Sequence, residues 1–170
     1  MTAEELNAVV MAVFGPRGDK AYTSALGTLT KHPDVLIGAI QGGPFKPAAA
    51  IEGFTDVRDG RADADTKTKL SERTGFHAEM LILSALINYL EIDPAQPIAN
   101  LRAELASGAG NITITADAPC CKHCGSMLDA LGISYFGAKA AAGLTGWWNP
   151  LTDKVTPNGS PDFQKAIPGM

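Results

Sequence analysis

The chain has 170 residues, 45% of them hydrophobic, and a formal charge of -4, which supplies one core and no broad basic surface for gripping a phosphate backbone. Its three cysteines all fall between Cys120 and Cys124, too close together to staple distant parts of a secreted fold, so they point to metal or redox chemistry in a reducing compartment. No segment approaches the roughly 20 apolar residues of a membrane span, and the start Thr2-Ala3-Glu4-Glu5-Leu6 lacks the basic opening of a secretory signal; the expectation is one domain over 1–170, without a membrane partner, in the cytoplasm.

Thr2 suits an N-cap with Glu5 at the capping-box position, and Leu6, Val9, Val10, Val13 and Phe14 recur at helical spacing, so a first helix runs to about Phe14 and stops at Gly15-Pro16. Tyr22, Leu26 and Leu29 keep a looser helical period up to His32-Pro33, as a second helix or a continuation of the first after a kink. Val35 to Ile40 reads as a buried strand and Ala48 to Phe54 as another, with Gly42-Gly43-Pro44 between them favouring an antiparallel pair. From Thr55 to Gly75 the charges are mixed in sign, which fits a solvated loop or weak helix more often than a lid.

Met80 to Leu90 is apolar almost all round, so this helix should be central and covered on several sides. Asp93-Pro94 ends it, Ala99 to Ala106 forms a short amphipathic helix, and Ser107 to Gly110 is a turn. Asn111 to Thr115 alternates and is β-branched, a strand. The cysteines follow directly, Met127 to Leu131 completes a helix that Gly132 terminates, and Ile133 to Phe136 is a further strand, giving a β-α-β unit from Asn111 to Gly137 with parallel neighbours. Beyond Ala138 the chain is rich in Gly, Pro and Asn, with Trp147-Trp148 its only bulky apolar island. Those rings suit a core and a pinned loop better than a stacking platform for a flat base. His32 before a proline reads as structural, and His123 as exposed.

The chemistry concentrates in Phe76-His77-Ala78-Glu79 and Pro119-Cys120-Cys121-Lys122-His123-Cys124. Cys121 and Cys124 lie three apart at a helix start, so they share a face of its first turn, where free N–H groups and the helix dipole favour thiolates. His77 and Glu79 open a second helix, where both can lean over its end. The His then binds metal while the Glu contacts a bound water, and His plus two thiolates is a neutral ligand set for Zn2+. Cys120 with Cys124 is the alternative pair; the two-residue spacing favours Cys121. A strand, Cys-x-x-Cys and helix is also the setting of a thiol-disulfide oxidoreductase, which would not require His77 and Glu79.

His77-Ala78-Glu79 followed by Pro119-Cys120-Cys121-Lys122-His123-Cys124 resembles the zinc-dependent cytidine deaminase superfamily, with its H-x-E and P-C-x-x-C signature. The resemblance covers about residues 35–137 and extends to the order of elements. It implies a three-layer α/β/α sandwich with a mixed central sheet, Zn2+ on His77, Cys121 and Cys124, and Glu79 as the catalytic proton carrier. Phe76 as a pocket wall and the Ala78 backbone are the expected substrate contacts. The implied substrate is a nucleobase-containing small molecule or single-stranded nucleic acid, in an assembly that in this superfamily is often a homo-oligomer. Flanks unlike those of housekeeping nucleoside enzymes look closer to bacterial toxin-type or other specialised deaminases. One departure stands out: Cys120 intervenes between Pro119 and Cys121. A zinc-binding module without catalysis is the competing class, and it would close the site with a fourth protein ligand.

Overall fold

Helix α1 spans Ala3–Phe14 and is set by its cap: Glu5 N donates to Thr2 Oγ1 at 3.1 Å while Thr2 N donates to Glu5 Oε2 at 2.7 Å. Both otherwise orphaned donors are thereby satisfied. The computed structural model describes residues 1–15, 23–40, 54–55, 77–140 and 146–156. The expected strand residues 48–53 and the charged stretch after Thr55 lie outside them.

The described residues form a mixed α/β structure with four helices and a four-stranded sheet in the order β3 (Phe54–Thr55), β2 (Leu36–Ile40), β1 (Ser24–Leu29), β4 (Ile112–Ala116). Strand β1 (Ser24–Leu29) is central and antiparallel to both β2 (Leu36–Ile40) and β4 (Ile112–Ala116). The register places Leu26 opposite Gly38 on one side and Thr115 on the other. This corrects the expected second helix over Tyr22 to Leu29. A strand covered on both faces is buried at nearly every position and shows no clean alternation, so the spacing of Leu26 and Leu29 passes for a helical period.

The expected antiparallel partner of β2 is also corrected: β3 (Phe54–Thr55) pairs with it in parallel, Leu36 opposite Phe54. A parallel pairing needs a crossover, which the glycines after Ile40 gave no sign of.

Side chains alternate across β1. Leu26 packs with Leu6 and Val10 of α1 on one face, whereas Ala25 and Leu29 join the larger core on the other. That core is built on α2 (Ala78–Tyr89), buried from Ala78 through Ile87 as its all-round apolar sequence demands. Burying each Leu, Ile or Met there is worth about 1.5–3 kcal/mol. Packing therefore fixes α2, and its N-cap, His77, makes no side-chain cap bond. A missing cap costs about 1 kcal/mol, which one buried leucine offsets.

Helix α3 (Ile98–Ala109) continues three residues past the expected Ala106, taking in the predicted turn up to Gly110. Helix α4 (Lys122–Leu131) ends at Gly132 as expected, with φ 70° and ψ 27°. The strand expected over Ile133 to Phe136 shrinks to a single parallel bridge, Ser134 to Thr113, with Phe136 46% exposed. The bonds Ile114 N to Ser134 O (2.9 Å) and Ser134 N to Ile112 O (3.0 Å) still seat it beside β4. A small antiparallel hairpin, β5 (Trp147–Asn149) and β6 (Lys154–Thr156), completes the described residues. None of the described helices is long and apolar enough to cross a membrane.

Candidate metal centre

Two helix N-termini meet at the site. At one, His77 is the N-cap of α2 and Glu79 sits in the first turn. At the other, Cys121 is the N-cap of α4, its sulfur accepting from Cys124 N at 3.3 Å. The loop that delivers the cysteines is anchored to β1, since Asp117 N donates to Ser24 O at 2.9 Å and Asp117 Oδ1 accepts from Ser24 N at 3.1 Å. Next along the loop, Ala140 N donates to Cys120 O at 2.8 Å.

His77 Nδ1 lies 3.4 Å from Cys121 Sγ and 3.3 Å from Cys124 Sγ. The three ligand atoms lie within 4.8 Å of one another, and all three residues are buried. A tetrahedral zinc with Zn–S near 2.3 Å and Zn–N near 2.05 Å sets its N and S ligands about 3.6 Å apart. One imidazole and two sulfurs at this separation, sunk in a protein interior, could hold a metal ion, and Zn2+ fits the donor set. The expected ligands His77, Cys121 and Cys124 are thus brought together from positions 44 and 47 residues apart. Cys120 stands outside the group.

The electrostatics separate the two sulfurs. Cys121 is pushed down to about 4, first by a hydrogen bond from the Cys124 thiol and then by the His77 imidazole, against the opposing cost of burial. The α4 N–H groups add to this. Burial pushes the Cys124 thiol up, as does its bond to Cys121. Burial alone would lower His77, but the hydrogen bond and charge of Cys121 and the charge of Glu79 outweigh it and hold the imidazole above its usual value. The Gly146 backbone also takes a hydrogen bond from the His77 ring. With Nδ1 facing the sulfurs, that bond orients the ring in the way outer partners orient metal-binding histidines.

Glu79 is 4% exposed. Burial holds its carboxyl above the ordinary range, with the His77 charge opposing. Its Oε1 accepts a hydrogen bond from Cys120 Sγ at 3.5 Å. The Cys120 thiol is itself held well above the usual range by burial and by the Glu79 charge, so it keeps its proton.

Of the two expected substrate contacts, Ala78 is the first residue of α2 and fully buried, and Phe76 lies outside the described residues. Both tryptophans are fully buried, Trp148 Nε1 donating to Asp153 Oδ1 at 3.0 Å. His123, expected at the surface, is instead half-buried and meets Trp147 edge to face, ring centroids 5.8 Å apart. His32 is structural as expected, its Nε2 3.0 Å from Gly108 O. One contributor escaped the sequence, the Gly146 backbone. Cys120, which the spacing leaves behind the ligands as a supporting or packing residue, does stand outside the group and against Glu79. Comparison with family models, curated proteins and solved structures gives no match.

Proposed function

We propose that this chain is a zinc-dependent hydrolytic deaminase built on a three-layer α/β/α sandwich of the cytidine deaminase type. Its substrate is an amino-substituted nucleobase, cytosine in a nucleoside, nucleotide or single-stranded nucleic acid. The observation that carries the reading is a buried carboxylate, Glu79, beside a donor set of three protein ligands, His77, Cys121 and Cys124. Among the described residues no fourth ligand joins that set. A structural zinc is closed by four protein ligands, whereas a catalytic one keeps a position for water.

Bound zinc supplies Lewis-acid activation of a water at neutral pH. The chain does the rest. Glu79 takes the proton from the attacking water as oxygen bonds to the amidine carbon, and passes it to the adjacent ring nitrogen. A second transfer carries the proton of the newly added hydroxyl to the exocyclic amine, the carbonyl forms as the C–N bond breaks, and ammonia leaves; cytosine plus water gives uracil plus ammonia. A carboxyl raised by burial suits this two-way traffic, because it is basic enough to accept and acidic enough to return the proton. His77, Glu79, Cys121 and Cys124 are all buried, which keeps their charges strong.

The dithiol asymmetry at Cys121 and Cys124 would also serve thiol-disulfide exchange. An imidazole nitrogen at nearly equal distance from both sulfurs favours metal, since a shared ion asks for that symmetry whereas exchange needs a base beside one attacking sulfur only. The test is metal content together with ammonia release from a panel of bases, nucleosides, nucleotides and single-stranded DNA. Turnover that disappears in Glu79→Ala with zinc retained supports the proposal. Unchanged turnover in that variant, or zinc with no ammonia from any member, overturns it.

A further inference from the structure

The donor set uses two of the three cysteines, and the third lies against the proposed proton carrier. Cys120 Sγ is 3.5 Å from Glu79 Oε1, an ordinary S–H···O separation, and both residues are 4% exposed. Away from water, a carboxylate oxygen without a donor is costly. We propose that Cys120 is a positioning residue, its thiol donating to Glu79 Oε1 so that the carboxyl is held in one orientation with Oε2 left for the proton in transit. The inference rests on the deaminase reading for the task it gives Glu79.

Three features support it. The Cys120 backbone is itself fixed, its carbonyl accepting from Ala140 N at 2.8 Å, so the sulfur is carried by a held strand of chain. Its donor is a neutral thiol that adds no charge of its own, which suits a carboxyl that must alternate between charged and neutral forms, where a fixed cation would trap the anion. The extra residue between Pro119 and Cys121 has a use on this account. It places a thiol on the Glu79 side of the loop while Cys121 and Cys124 face His77.

The sequence makes this contact directly measurable. With only three cysteines, and Cys121 and Cys124 held as thiolates by zinc, the metal-loaded protein has one S–H group. Its infrared stretch should be a single band, lower in frequency than a free thiol, absent in Cys120→Ala and shifted upward in Glu79→Ala. A zinc-loaded protein with no S–H band, meaning that Cys120 binds metal, overturns the proposal, and so does a band indifferent to Glu79→Ala. In turnover, Cys120→Ala should lower kcat roughly tenfold with KM and zinc content held, and Cys120→Ser, which keeps a donor, should recover most of the rate. Equal loss in both variants argues for simple packing and against positioning. The two failures are distinguishable. Ammonia release with an indifferent band removes only the role of Cys120, whereas a coupled band with no ammonia from any substrate removes the deaminase and with it that role, leaving the bare contact to Glu79.

Discussion

The position of α2 on the sheet decides where His77 and Glu79 stand, and Gly27 decides how closely α2 can approach. A Cβ at Gly27 would lie 2.8 Å from Ile82 Cγ2, 3.5 Å from Ile114 Cγ1 and 3.7 Å from Thr113 O. Carbon atoms pack best about 3.5–4.0 Å apart, so Gly27→Ala forces a displacement of several tenths of an ångström. Ile82 cannot swing aside, being 1% exposed inside the core. Removing a strand glycine should by itself stabilise by about 0.5–1 kcal/mol, whereas overpacking costs about 1–3 kcal/mol. The clash wins, leaving a net loss of about 1–2 kcal/mol, and each kcal/mol lowers Tm by roughly 2–4 °C at this chain length. Thermal unfolding of the metal-free protein should register a drop of about 2–8 °C. The specific check is a double-mutant cycle with Ile82→Ala, which removes the clashing methyl. Ile82→Ala alone costs about 2–5 kcal/mol, and the double variant should be less destabilised than the sum by about 1 kcal/mol or more. A neutral Gly27→Ala, or strict additivity, would refute the claim that this glycine seats the helix.

Loss of a ligand is expected to weaken zinc binding in His77→Ala by more than the roughly 100-fold that an outer partner can cost; competition with a chromophoric chelator measures it, and unchanged affinity would exclude His77 from the site. At free zinc about 100 times Kd, binding adds about 2.7 kcal/mol of stability, so chelation should lower Tm by roughly 5–11 °C, and a Tm blind to chelator would mean that no metal is held. Burial raises the Glu79 carboxyl above its reference of 4.5, so the folded metal-free chain binds that proton more tightly than the unfolded one. Its contribution is complete below that reference and is lost as pH rises through the raised folded value. Wild type should therefore fall progressively behind Glu79→Gln in urea midpoint from acid to neutral pH, and a gap that is constant with pH contradicts the burial argument. At Gly125 a Cβ would come 2.5 Å from Lys139 Cβ, the root of that side chain and not its flexible end. Gly125→Ala should thus cost about 1–2 kcal/mol net of the roughly 1 kcal/mol helix gain; a urea midpoint at or above wild type would show that the segment at Ala140 yields freely.

Local patterns were legible wherever the determining interactions are close in sequence. Thr2 and Glu5 announce the start of α1, the apolar run after Ala78 announces a buried helix, and Gly132 its neighbour's end. The three side chains that could hold a metal ion were legible for a different reason, because few arrangements other than a metal site ask for that chemistry at that spacing. Strand β1 was not, since Ala25, Leu26 and Gly27 have no strand preference of their own and become a strand through β2 and β4 on either side. The parallel pairing of β3 and the shortening at Ser134 are settled by neighbours distant in the chain.

The sequence by itself determined the donor types, the acidic residue beside them and the helix starts that carry both, because capping, periodicity and ligand chemistry act over a few residues. Only the tertiary structure decided which sulfurs face His77, that Cys120 turns instead to Glu79, and that Gly146 holds the imidazole. Those outcomes depend on how two helix ends meet across a packed core, and that follows from close approaches between distant parts of the chain, such as Ile82 against the bare backbone of Gly27.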